Sequence, residues 1–332
     1  MAELIFAGTR RGLAVLGRDN GGFREVHRAF ETPITAVAAD ARARLVLVGT
    51  PEGVFRSADA GQSWQRLPHF DGKEARYIHI DRERPHVYVG THPDVDVHVS
   101  TDAGERWTAL GFQEKIPAAV REKWCFHPFP KYGPHVKSIA TGGGRVYVNV
   151  EEGWCYRSDD GGRTWHPLLH NGLNADAHVV AVHPRDPDIV YSTDAFGACV
   201  SRDGGGRWRR VPTSDYGPRR YGGGIAIHPT KPAIALFSLG LARVFTLSVK
   251  GAQSALLRTT DGGETWHPVT AGLPQPLPAR IETLVFDDAP DPRVYALTDL
   301  GEVWEGAHDG ASWRPVAADL GGHAAHYTLG VM

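Results

Sequence analysis

The sequence predicts an all-β, seven-bladed β-propeller. An eight-residue phrase, with a small hydroxyl residue, Asp, Gly and Trp in fixed register, occurs five times: Ser57 to Trp64, Ser100 to Trp107, Ser158 to Trp165, Ser201 to Trp208 and Thr259 to Trp266. Each copy lies between short β-rich runs, such as Gly53-Val54-Phe55-Arg56 before the first and Trp64-Gln65-Arg66-Leu67 after it, the signature of a hairpin. Self-similarity at a period of roughly 40 residues marks a stacked repeat architecture.

The phrase has a physical logic. Asp in a turn accepts backbone N–H groups a few residues onward, and Gly supplies a positive φ that side chains with a Cβ resist. The hydroxyl ties the turn from its other side, and Trp brings apolar area for packing between sheets. Five acidic catalytic residues in five identical settings would serve no single active site, so these Asp residues are structural.

Two decayed copies complete the count. Gly306 to Trp313 keeps the Gly, Ser and Trp but has His308 where Asp is expected. Near the start, Asp19-Asn20-Gly21-Gly22-Phe23 keeps the turn residues with one residue fewer and Phe for Trp. The closing aromatics Phe23, Trp64, Trp107, Trp165, Trp208, Trp266 and Trp313 therefore mark seven units, with six as the alternative if the first copy is spurious.

The second unit serves as template: strand A at 34–40, strand B at 44–49, strand C at 53–56, and the phrase turning into strand D at Trp64. The order recurs from Tyr77, His135, His178, Gly223 and Ile281. The first unit opens on a B strand, Leu4 to Gly8, while the chain runs on past Val316 to Met332. The tail is thus expected to give strand A to the N-terminal blade, closing the ring and removing exposed sheet edges. Because the repeats run end to end, residues 1–332 read as one domain.

Bulk properties narrow the partners. At 42% hydrophobic and 22% charged, with net charge −2 and no basic run, the chain is ordinary globular material and a poor match for nucleic acid or an anionic membrane. No stretch approaches 18 apolar residues. The first residues lack the basic region and apolar segment of a secretory signal, so a cytoplasmic location is expected. Three cysteines, Cys125, Cys155 and Cys199, have no metal-type spacing. The latter two fall at matching third-strand positions, as packing residues would.

Loop lengths locate a site. The D-to-A connections at 111–134 and 214–221 and the B-to-C connection at 238–255 are longer than their counterparts, and all lie on the face opposite the repeated phrases. Binding sites gather where long loops cluster on a rigid scaffold. His135, Lys137, Asp176, His178 and His326 enter A strands from this face, and Arg76 and Glu282 fall in register with His178. The B-to-C turns add Arg10, His92, Asp94, Glu151, Glu152, Asp194 and Asp299, and the 214–221 loop adds Arg219 and Arg220. Singly, such residues are commonly solvated rim groups. Together, in a fold that converges on its axis, they suggest one central pocket. His183 and His228 end A strands on the opposite face and read as structural.

Two chemistries suit the pocket. His92, His135, His178 and His326 could hold a divalent metal acting as Lewis acid or water activator. Alternatively Arg10, Arg76, Lys137, Asp176, Asp194, Arg220 and Asp299 would bind a small polar or anionic substrate while His135, His178 and Glu282 move protons. The expectation is a hydrolase or lyase.

The repeated phrase resembles the Asp-box (BNR) repeat of sialidase-like β-propellers over nearly the whole chain. A sialidase resemblance would imply an arginine triad on the sugar carboxylate, a Tyr/Glu nucleophile pair, an Asp acid/base, an Arg-Ile-Pro-type segment near the N-terminus, six blades and export. The corresponding stretch here is Gly8-Thr9-Arg10-Arg11-Gly12-Leu13, so the fold carries over and the mechanism does not. Two alternatives follow. One is a noncatalytic scaffold with a protein partner, similar to the seven-bladed Asp-box factors that assist photosystem assembly. The other is a glycoside hydrolase, which would need two carboxylates astride a sugar and aromatic platforms such as Trp124, Phe126, Phe129 and Tyr132.

Overall fold

Five turns with one hydrogen-bond pattern set the architecture. In the first, the Ser57 hydroxyl donates to Asp59 Oδ1 at 2.7 Å and accepts the Gly61 N–H at 2.8 Å, while Asp59 Oδ1 accepts the Ser63 N–H at 2.9 Å. The same three bonds recur around Asp102, Asp160, Asp203 and Asp261. The glycine at the fifth position holds φ between +83° and +91° in all five copies. These bonds keep the Asp carboxyls well below the ordinary carboxylate range, which marks them as fixed acceptors and excludes them as proton carriers.

The computed structural model describes residues 3–124, 133–169, 172–183, 186–241, 251–321 and 328–332. Its strands form seven four-stranded antiparallel sheets. Blade 1 runs from the axis outward as Leu329–Val331, Leu4–Thr9, Gly12–Asp19 and Gly22–Ala29. Blades 2 to 7 begin with Ala36–Asp40, Glu74–Ile80, Val136–Gly142, Ala177–His183, Tyr221–Ile227 and Ile281–Phe286 as their innermost strands. These A strands touch one another around a closed ring.

Seven blades is the observed count, and the tail closes the ring as the repeat phase requires. Ile5 pairs with Val331, Phe6 with Gly330 and Ala7 with Leu329. The shortened first copy has a local cause: Asn20 and Gly21, both at positive φ, make a two-residue hairpin between Asp19 and Gly22, which leaves no room for an Asp box. In the last copy Asp309, one place after His308, accepts the Ala311 N–H at 3.0 Å instead.

Each box docks on the preceding blade. A Cβ at Gly61 would meet Phe6, one at Gly162 would meet Leu110, and one at Gly263 would meet Tyr191. Arginines beside the boxes lock the next junction: Arg56 Nε donates to the Ala103 carbonyl at 2.9 Å, Arg157 Nη1 to Gly204 at 2.8 Å and Arg202 Nη2 to Gly262 at 2.7 Å. Trp165, Trp208 and Trp313 are buried in these junctions. Cys155 and Cys199 are buried free thiols, pushed up by burial.

Candidate functional site

The axis has two different halves. Toward the Asp-box face the A strands enclose a cavity of about 240 Å³, lined mainly by aliphatic residues such as Ile80, Ile139, Ala181, Ile225, Leu284 and Val331. Toward the loop-bearing face the same strands present charge. Their register shifts there in five blades, between Ala75 and Tyr77, Val136 and Ser138, Ala177 and Val180, Gly222 and Ile225, and Ile281 and Thr283. A β-bulge re-aims the residue it contains. The bulged positions hold Arg76, Lys137, His178, Gly223 and Glu282, so the residues expected to share one register do share it.

These groups engage one another. Arg76 Nη1 donates to Glu74 Oε1 at 2.8 Å, and His92 Nδ1 lies 3.3 Å from Glu74 Oε2. Arg76 Nη2 is 3.2 Å from His135 Nε2. A guanidinium only donates, so His135 is the neutral tautomer carrying its proton on Nδ1, 3.0 Å from the Gly133 carbonyl. Burial, reinforced by Arg76, pulls His135 down to about 3. Glu74, against its own burial, is held at about 2 by the bond from His92 and by Arg76.

Lys137 Nζ and Glu151 Oε2 are 2.7 Å apart. Burial would raise the Glu151 carboxyl, but Lys137, then His178 and His135, draw it well below the ordinary range. His178 Nδ1 donates to the Gly222 carbonyl at 2.7 Å, its ring lies 4.4 Å from that of Tyr221, and its Nε2 is 3.3 Å from Asp176 Oδ1. Burial opposes a charged imidazole, yet Asp176 and Glu151 outweigh it and His178 titrates above its usual value. On the far side Arg280 stacks 4.8 Å over Tyr221, donates to the Leu241 carbonyl at 2.7 Å and sits 3.5 Å from Glu282.

Other expected residues stand apart from this array. Asp194 is fully buried, and its carboxylate is taken by Arg210 at 2.9 and 2.8 Å and by the Asn174 and Phe196 N–H groups. It is a corner brace and not a substrate ligand. Asp299 likewise caps the Arg280 N–H at 2.8 Å. Arg10 and Arg220 are exposed on the rim. His326 lies outside the described residues. Of the four histidines expected to share one metal, the three among the described residues are not brought together: His92 meets His135 edge-on at 6.0 Å, His135 has both nitrogens engaged, and His178 belongs with Glu151 and Asp176.

The 111–134 loop starts with two four-residue helices, Phe112–Lys115 and Ala118–Arg121. Trp124 is buried, with its Nε1 donating to the Tyr156 hydroxyl at 2.6 Å, so it is packing and not a sugar platform. Phe126, Phe129 and Tyr132 lie outside the described residues. Sequence reasoning missed Glu74, Tyr221 and Arg280. Glu74 carried a signal, standing two residues before Arg76 and hence on the same strand face.

Fold and site together define an Asp-box propeller with a half-buried, mutually paired charge array at one end of its axis. The chain belongs to the family described as Photosynthesis system II assembly factor YCF48, whose model matches residues 21–188, half of the chain. The BNR/Asp-box repeat matches residues 257–268. The Photosystem II assembly lipoprotein Ycf48 of Synechococcus sp. (strain CC9902) is 26% identical over 131 residues, 39% of this chain and 34% of that protein, so the match spans about a third of the curated relative.

Among solved structures, the GH74 xyloglucanase of Xanthomonas campestris aligns at TM-score 0.67 and 18% identity, over 96% of this chain and 53% of that one. YCF48 bound to D1 peptide aligns at 0.59 and 15%, over 96% and 90%. YCF48 from Cyanidioschyzon merolae aligns at 0.56 and 14%, over 90% of each. At these identities the likeness is one of fold.

The cytoplasmic location expected from the first residues is corrected by the Synechococcus relative, which is a lipoprotein. Among the described residues no helix is long and apolar enough to cross a membrane.

Proposed function

We propose that this chain is a noncatalytic assembly propeller that holds a segment of a client protein on its loop-bearing face. Membership of the YCF48 family carries the reading. The relative bound to D1 peptide supplies the kind of partner. The charge array supports it. Arg76, His135, Lys137 and Glu151 satisfy each other in the free protein, and an extended peptide can engage such a surface by exchanging ion-pair partners, which gives orientation and specificity more than raw affinity. Arg10 and Arg220, exposed on the same face, are the first side chains an arriving acidic segment would meet.

The test is fluorescence anisotropy of labelled D1 peptide with the full chain. Arg10→Glu and Arg220→Glu each weaken binding by about tenfold, which corresponds to roughly 1.4 kcal/mol. Arg42→Glu, exposed on the Asp-box face, leaves it unchanged. Equal loss in all three variants removes the assignment of the face.

The expected hydrolase or lyase on a small polar or anionic substrate is the second reading. It rests on His178 paired with Asp176, an arrangement that can hold and pass a proton. Turnover of esters or lactones that disappears in His178→Asn, with no D1 peptide binding, would move the assignment there.

A further inference from the structure

The His178 ring poses a problem of proton bookkeeping. Its Nδ1–H is committed to the Gly222 carbonyl, so the neutral ring points a lone pair from Nε2. That atom is buried, has no hydrogen bond, and faces Asp176 Oδ1 at 3.3 Å. Two acceptors at that distance repel unless a cation lies between them, either a second ring proton on Nε2 shared with Asp176 or a metal ion that takes its place. A 3.3 Å edge is also what two bonds of about 2.0–2.1 Å subtend at a tetrahedral metal.

We propose that Glu151, Asp176 and His178 form a binding site for a divalent metal of the zinc type, joining blades 4 and 5 at the loop-bearing end of the axis. One ligand atom from each of the three lies within 4.8 Å of the others. His178 is rigid and 2% exposed, whereas the Glu151 and Asp176 side chains are 19% and 28% exposed and can rotate to close the remaining edges. Outer contacts are those a metal site needs. The Gly222 carbonyl orients the imidazole, and Lys137 holds one oxygen of Glu151 while leaving the other to the ion.

The donor set selects the ion. One imidazole with two carboxylates suits zinc and neighbouring first-row dications, while magnesium and calcium favour all-oxygen shells. The solvent-reaching side leaves a fourth position for water. The site shares Glu151 and Lys137 with the array used in the peptide-binding reading, but metal binding is measured without peptide, so the two readings can fail separately.

Chelator-treated full-length protein is titrated calorimetrically with Zn²⁺ and with Mg²⁺, and Co²⁺ is added as a visible-spectrum reporter of tetrahedral geometry. One equivalent of Zn²⁺ binds, Mg²⁺ does not, and Asp176→Asn and Glu151→Gln each weaken Zn²⁺ by more than about tenfold. His92→Asn leaves it unchanged. Circular dichroism melts report whether each variant folds, and should Asp176→Asn unfold, Glu151→Gln decides. No Zn²⁺ in the parent protein, or binding that survives both ligand substitutions, overturns the proposal. Binding lost only in His92→Asn identifies an adventitious surface histidine and overturns it equally.

Discussion

Arg82, in the A-to-B turn of blade 3, reaches across the mouth of the axial cavity to Asp288 of blade 7. Its Nη1 lies 2.9 Å from Asp288 Oδ1 and its Nη2 donates to the Phe286 carbonyl at 2.9 Å. Blades 1 and 2 stand between them in the ring, so the contact is a chord and not a neighbour junction. The Arg82 side chain is 38% exposed and that of Asp288 15%, which limits the pair to roughly 1 kcal/mol. Arg82→Ala and Asp288→Ala are each expected to lower unfolding stability by about that amount. The double variant should fall short of additivity, as residues in contact do. Denaturant unfolding of the four proteins checks it.

Closure by the C-terminal strand should dominate stability. Leu329 and Val331 are 4% and 5% exposed, and burial of two such side chains contributes about 3–6 kcal/mol. The Gly8 N–H to Thr328 carbonyl bond at 2.7 Å adds to it. Deleting residues 328–332 is expected to lower the melting temperature sharply and expose the Leu4–Thr9 edge to aggregation. A synthetic peptide of that sequence, added in trans, should restore part of the loss in a thermal melt.

Two glycines separate backbone strain from packing. Gly61 and Gly161 both have positive φ, at +83° and +75°. A Cβ at Gly161 meets nothing within 4 Å, whereas at Gly61 it would lie 2.7 Å from the Phe6 ring. Gly161→Ala should cost about 1 kcal/mol, the left-handed penalty alone. Gly61→Ala should cost about 3 kcal/mol, because the ring junction must also shift. Equal losses would show that the box is not seated against blade 1.

Acid should weaken the junction of blades 2 and 3. His98 is 2% exposed, and its Nδ1 faces His69 Nε2 at 2.9 Å. Burial pulls it down to about 4, Asp96 and Asp94 push the other way, and His69 and Lys73 add to the fall. A histidine whose folded value is depressed is protonated more readily when unfolded. Its stabilising effect is therefore full above about pH 6.5 and lost as pH falls toward about 4, an upper bound of about 3 kcal/mol. Melting temperatures of the parent protein should drop across that window, and those of His98→Phe should drop less.

Blade number was legible because an Asp box is a local object. Ser57, Asp59, Gly61 and Ser63 complete their hydrogen bonds within eight residues, so seven turns could be counted without knowing where the sheets lie. The shared register of Arg76, His178 and Glu282 followed from counting the A strands back from their own closing turns. The closing role of the tail followed from the phase of the repeat. Function was less legible. The same motif supports enzymes and scaffolds, and it is the match at the family level that favours the latter.

What only the tertiary structure decided was how the charges are spent. Asp194 and Asp176 look alike in sequence, yet Arg210 and two backbone N–H groups consume Asp194 while Asp176 faces His178 Nε2 at 3.3 Å. Arg76 disqualifies His135 as a metal ligand from another blade, and Gly222 sets the His178 tautomer across a gap of 44 residues. Such pairings depend on ring radius, strand tilt and the bulges that turn single side chains toward the axis. Turn chemistry is settled among near neighbours in the chain. The partner of a buried charge is settled by where closure of the whole ring puts the next blade.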